Sequence, residues 1–306
     1  MDRSLAIALN TFREAVRDRV LYGVLGFAVA VLAFTLALAE LSVEEQRRVV
    51  LDVGLASISL FSVVIAVFLG SSLLYKEIER KTLYVILPKP VRRYELLVGK
   101  FLGIALTASV FVGVMGAVQL YVTAIQAGAA TWLLISAPLL LALVLGVAFY
   151  RASDRTSLAP ATSMVALATM TGVCATTDAA VEPILLALAL VVGEVVLLAA
   201  VAMLFGSFST PFLTGAFTLG VWLLGRSADS MATMRSRVLP EAVRTFLHGL
   251  AWVIPNFHLF VPNMHALDGA TGSPGLYVGQ SLAYAVAYAV ALLVIASAVF
   301  ERRDLA

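Results

Sequence analysis

The sequence predicts an all-α polytopic membrane protein, and three observations predict it: an apolar composition, a series of long uncharged runs, and basic residues confined mostly to one side. The 306 residues are 61% hydrophobic and 13% charged, with a mean hydropathy of +0.98. A soluble domain runs about 45–50% apolar and about 25% charged. No globular core needs so much apolar surface, so lipid is the expected solvent. The formal net charge of +2 says little about partners. The lone Cys174 excludes an intrachain disulfide framework and any multi-cysteine metal site.

A spanning helix needs about 20 mostly apolar residues. Residues 21–39 and 53–75 carry no charge and give spans one and two. Residues 101–150 hold no Asp, Glu, Lys or Arg. As one helix they would reach about 75 Å, far beyond a hydrocarbon core of about 30 Å. They must fold back, and the weak point is the Gln126-Ala127-Gly128-Ala129-Ala130-Thr131 stretch between spans three and four. Residues 156–177 form a fifth candidate, rich in Ser and Thr. Residues 183–225 are interrupted only by Glu194 and break at Gly206-Ser207-Phe208-Ser209-Thr210-Pro211, giving spans six and seven. Residues 276–300 are the last span. The start of the chain imitates a secretory signal, but its apolar run is longer than a signal core. It is expected to stay as the first helix.

Eight spans place both termini on one side. The assignment puts fifteen of the 21 basic residues on the terminal side, and six, Arg226 among them, on the other. That bias predicts cytoplasmic termini in a plasma (inner) membrane. Removing spans four and five as a pair preserves it, so six and eight spans both satisfy the rule.

Two polar segments are organised. Leu5, Ala8, Leu9, Phe12 and Val16 line one side of an amphipathic helix within residues 1–19, expected on the inner surface. In the outer loop, residues 227–275, Leu239, Val243, Phe246, Leu250 and Val253 mark one face of a helix opened by Pro240. It is expected to lie along the membrane or dip into it.

The segment 76–97 gathers charge at its start and ends its helix at Pro88 and Pro90. It reads either as a charged loop or as a short lever pressing on a cytoplasmic partner. Glu194, deep in span six, is expected to face protein, because an intramembrane carboxylate in lipid is costly. It is read as a substrate-path or helix-pairing residue, or as a protonated Glu bonded to a neighbouring helix. His248, His258 and His265 share the outer loop, but their spacing matches no metal motif. There is no phosphate-binding Gly-x-x-x-x-Gly-Lys-Ser/Thr loop and no catalytic constellation.

The run Glu77, Glu79, Thr82, then Pro90, Arg93-Tyr94 and Gly99-Lys100, resembles the coupling signature of ABC-2-type permeases, the membrane subunits of ABC exporters. Asn10-Thr11-Phe12-Arg13-Glu14 with Arg17-Asp18-Arg19 resembles the family's inner-surface helix. Phe205 to Pro211 resembles its turn between the fourth and fifth helices, and Phe300 to Leu305 its C-terminal tail. The pattern is similar to the branch that includes the membrane subunit of the nitrous-oxide-reductase maturation transporter. The resemblance implies one permease domain over residues 1–306, with six core helices plus an inserted helical pair at 127–182, eight in total. It implies ATPase coupling through Glu77, Glu79, Arg80 and Thr82. It also implies a separate ABC ATPase carrying ATP and Mg, a second permease copy, surrounding lipid, and no nucleic acid. Spans nearly free of charge suit an amphipathic or lipid-like cargo. The competing classes are an ion-coupled secondary carrier, for which internal repeats are lacking, and a membrane-embedded enzyme, for which catalytic residues are lacking.

Overall fold

The computed structural model describes residues 2–42, 45–79, 92–152, 154, 156–179, 181–232, 241–261 and 273–301. Eleven α-helices follow one another among them: α1 Asp2–Val16, α2 Arg19–Glu40, α3 Gln46–Glu79, α4 Arg93–Gln126, α5 Thr131–Arg151, α6 Ala159–Cys174, α7 Val181–Gly206, α8 Pro211–Arg226, α9 Ala228–Ala232, α10 Glu241–Val253 and α11 Pro274–Glu301. No strand occurs among the described residues. Two 3₁₀ turns, Thr156–Leu158 and Phe257–Phe260, complete the elements.

Among the described residues seven segments are long and apolar enough to cross a membrane: Arg19–Glu40, Gln46–Ser72, Tyr94–Gln126, Thr131–Arg151, Thr156–Cys174, Val181–Gly206 and Pro274–Glu301. The remaining expected span, the seventh in order, matches its uncharged run but is too short to cross alone. Helix α8 has 16 residues, about 24 Å, against about 30 Å of hydrocarbon. An apolar run reports which residues avoid water, not whether they reach the far surface. Here α8 stops at Arg226, inside the bundle.

Helices α3, α4 and α7 form the core, packed on one another, with α2, α6, α8 and α11 around them. Helix α5 is the outermost. It leans mainly on α6 and buries no side chain, presenting Leu139, Leu143 and Val147 outward. Between α4 and α5 the chain reverses where the sequence predicted. Gly128 has φ +74, a left-handed conformation that costs other residues about 1 kcal/mol or more. The Ala129 N–H reaches back to the Ala124 carbonyl at 3.0 Å, closing the helix end.

The sequence placed α1 on the membrane surface, and the structure gives it a protein seat. Ala8, Thr11, Phe12 and Ala15 are buried, and α1 packs against the first turns of α4. Gly99 and Gly103, one turn apart on α4, make this approach possible. A Cβ at Gly99 would stand 2.8 Å from the Ser4 carbonyl oxygen, and one at Gly103 2.7 Å from that of Ala8. Small residues four apart let two helix backbones close in.

Val243, Phe246 and Val253 of α10 are exposed, and the chain that follows them, residues 253–259, packs against α11. Three tyrosines of α11 hold it along a line. The Tyr288 hydroxyl donates to the Val253 carbonyl at 2.7 Å, the Tyr284 hydroxyl accepts from the Asn256 N–H at 3.0 Å, and the Tyr277 hydroxyl donates to the Leu259 carbonyl at 2.7 Å. Residues 253–259 therefore run antiparallel to α11. Tyr288 lies fourteen residues past Pro274, about 21 Å along the helix. Phe257 and Phe260 fill the space beneath, fully buried. Replacing Tyr288 with Phe is expected to cost about 1 kcal/mol. It should raise the labelling rate of a cysteine at position 254, a site now buried, in a Cys174→Ala background. An unchanged rate would mean that other contacts hold the segment.

Candidate functional site

Glu194 stands near the middle of α7 and its side chain is 0% exposed. Two neighbouring helices supply its partners. From α3, the Ser59 hydroxyl donates to Oε2 at 2.7 Å. From α8, Trp222 Nε1 and Arg226 Nη1 each donate to Oε1 at 2.8 Å. Arg226 Nη1 also approaches the Ser59 hydroxyl at 3.4 Å, and its guanidinium lies 5.2 Å from the Trp222 ring centroid. Both carboxylate oxygens are engaged, one by a charge-assisted pair. The local reasons are plain. Trp222 and Arg226 are four apart and share a face of α8. Ser59 falls near the middle of the apolar window of α3, level with Glu194.

This arrangement corrects the sequence assignment of Arg226. It was counted among the outer loop cations, yet it closes α8 and pairs inside the bundle. The sequence signal was available in part: Glu194 is the one carboxylate within the long uncharged runs, and Arg226 is the first cation after it. Their separation of 32 positions, with a helix reversal between, hides the pairing. The geometry makes the site a three-helix staple.

Glu77 and Glu79 lie in the last turn of α3, which runs beyond its apolar window from Ser72 to Glu79, about 10 Å further. Arg80 and Thr82 lie outside the described residues, as do Pro88 and Pro90. The chain is described again from Arg92, whose N–H donates to the Glu95 carboxylate at 3.0 Å, half of a capping box opening α4. His258 Nε2 lies 3.9 Å from Asp229 Oδ2, but among the described residues no group of three or more His, Cys, Asp or Glu could hold an ion. His265 lies outside the described residues.

A second polar site lies at the end of the bundle that holds both described chain ends. Arg13 of α1 pairs with Asp154 in the turn between α5 and α6. Asp154 also accepts from Thr156 Oγ1 at 2.8 Å, and that bond, with the Arg13 charge, holds its carboxyl below the usual carboxylate range. The depressed value means that this tie is present above the ordinary carboxylate pKa and is lost as pH falls through the lowered one. It fixes the α5–α6 turn to α1.

Helices of membrane length and apolar composition define a polytopic α-helical membrane protein. The chain belongs to the ABC-2 family transporter proteins, whose family model matches residues 5–305. The matched range takes in residues 127–182. The comparison with curated proteins found no match. The protein is thus a membrane transport subunit of the ABC-transporter kind, and members of this family generally work with an ATPase subunit.

Proposed function

We propose that this chain is the membrane-spanning half of an ATP-driven exporter, driven by an ATPase on a separate chain that carries the ATP and Mg. The family match over residues 5–305 carries the reading. Segment 76–97 is the coupling element, with Glu77, Glu79, Arg80 and Thr82 facing the ATPase. The extension of α3 past Ser72 supports this, because a helix continuous with a span transmits displacement along its axis. Two copies of the chain, or this chain and a similar one, enclose the path. The termini lie in the cytoplasm of a plasma (inner) membrane, and residues 127–182 are a helical pair added to a six-helix core. Within the family the motifs favour the branch of the nitrous-oxide-reductase maturation transporter. The cargo is amphipathic or lipid-like. An ion-coupled carrier is the weaker reading, since Glu194, the carboxylate it would titrate, has both oxygens engaged.

The motion we assign belongs to α8 and the segment after it. Helix α8 ends at the level of Glu194, and the tyrosine-held loop fills the outer half above it. ATP-driven displacement of α3 would reach α8 through Ser59, Glu194 and Arg226. The test exchanges charges at the coupling element: Glu79→Lys with Arg80→Glu. Arg80 can pair on a helix surface with Glu77, three positions before it, and such a contact is worth only about 0.2–0.5 kcal/mol, so the chain should remain folded and inserted. ATPase copurification or substrate-stimulated hydrolysis should fall. Unchanged coupling in an inserted double variant would reduce the segment to a charged loop.

A further inference from the structure

Beside the Arg13–Asp154 pair lies an open groove of about 700 Å³, lined by Asn10, Arg13, Glu14, Arg17, Asp18 and Asp154. That size is in the range of small-molecule sites, which run about 300–1,000 Å³. Every lining residue is polar or charged. Its depth follows from the elements around it: α2 starts at Arg19, α5 ends at Arg151, and the 3₁₀ turn before α6 begins at Thr156. Three span ends at one level mark the boundary between hydrocarbon and headgroups.

The groove holds unmet hydrogen-bonding capacity. Arg13 Nε is sheltered and has no hydrogen-bond partner. Arg17 and Glu14 have no side-chain partner among the described residues, although they are three apart on α1. Arg13 and Arg17 are one turn apart and so form a paired cationic edge suited to phosphate oxygens. Glu14 offers a carboxylate beside them. Among the described residues the lining has two cations and three carboxylates, a balance that disfavours a purely anionic ligand. No aromatic residue lines it among the described residues, which disfavours the cage that a quaternary ammonium prefers. A primary ammonium, with N–H donors for a carboxylate, fits instead.

We propose that this groove binds a zwitterionic phospholipid headgroup of the phosphoethanolamine class, its phosphate held by Arg13 and Arg17 and its ammonium by Glu14. The exposed apolar side of α5, which ends beside the groove, gives the acyl chains a wall to lie against. A lipid seated there ties α1, the start of α2 and the α5–α6 turn into one unit at the inner surface. Because the site needs only the membrane placement of the chain, it stands apart from the ATPase reading.

The test is native mass spectrometry of the purified full chain in detergent, titrated with phosphatidylethanolamine, phosphatidylglycerol, phosphatidylcholine or inorganic phosphate. The wild type should retain phosphatidylethanolamine at about tenfold lower concentration than the other lipids, the size of one good charged contact. The double variant Glu14→Gln, Arg17→Gln leaves the Arg13–Asp154 pair and the buried side of α1 intact, and it should erase that preference. Equal retention of all headgroups, or an unaltered preference in the variant, overturns the proposal. Tighter phosphatidylglycerol binding makes the groove a plain anion site and also overturns it. So does displacement of the lipid by millimolar inorganic phosphate. Loss of ATPase copurification in the variant, with lipid preference intact, would make this a protein-docking surface instead.

Discussion

Replacing Glu194 with Ala is expected to destabilise the protein by about 3–5 kcal/mol, the usual consequence of leaving one member of a buried ion pair alone. Arg226 is only 27% exposed, and its Nη1 would lose its charged acceptor in a region of low dielectric. Trp222 and Ser59 would lose their acceptor as well. Glu194→Gln should fall between the two, because an amide oxygen still accepts from Trp222 but does not neutralise Arg226. The informative variant is the double replacement Glu194→Leu with Arg226→Met. Buried ion pairs exchanged for apolar residues of similar volume are often neutral or stabilising, so the double variant should recover most of what Glu194→Ala loses. Thermal unfolding in detergent across this cycle gives the coupling directly. If the double variant is as unstable as the sum of the single ones, the two residues do not act as a pair.

Gly103→Leu should detach α1 from the bundle. A Cβ at this position would meet Thr11 Cβ at 2.6 Å and the Ala8 carbonyl oxygen at 2.7 Å. The first contact is a side chain, but the second is backbone and cannot rotate away. Overpacking of this kind costs typically 1–3 kcal/mol, and a leucine adds three further carbons to a gap that admits none. The core helices α3, α4 and α7 make their mutual contacts elsewhere, so the rest of the bundle should persist. Limited trypsin digestion of the full chain in detergent would report the change, since Arg13 and Arg17 lie on α1 and just beyond it. Cleavage there should rise at least severalfold in the variant. A digestion pattern like that of the wild type would mean that α1 is anchored by contacts other than the glycine seat.

Much of the architecture is legible in the sequence because membrane solvent imposes a simple code. The uncharged runs mark the spans, and the reversal at 126–131 follows from length alone. What the code does not carry is the end of a helix inside the protein. The run from Pro211 to Gly225 is apolar whether or not the helix reaches the far surface, and only the structure sets Arg226 at its end against Glu194. The glycine seat was half visible, since Gly99-Lys100 stood out as a motif. Its meaning required α1 as a neighbour, and neighbours are set by tertiary packing. The tyrosines left a clearer trace: Tyr277, Tyr284 and Tyr288, spaced seven and four apart, share one face of α11. That pattern announces a common partner without naming it. The coupling role proposed for segment 76–97 rests on a resemblance, because a charged run between two spans obeys the positive-inside rule whatever it touches.

The pairing of Glu194 with Arg226 has an electrical consequence. A single charge carried across the membrane field changes energy by about 2.3 kcal/mol per 100 mV. The two side chains together sum to zero, so displacing them as a unit moves no net charge through the field. A transport cycle that keeps the staple closed is therefore blind to membrane potential at this point. A cycle that opens it, sending the guanidinium one way while the carboxylate stays on α7, generates a gating charge. Currents recorded from reconstituted protein would tell the two apart without any knowledge of the cargo.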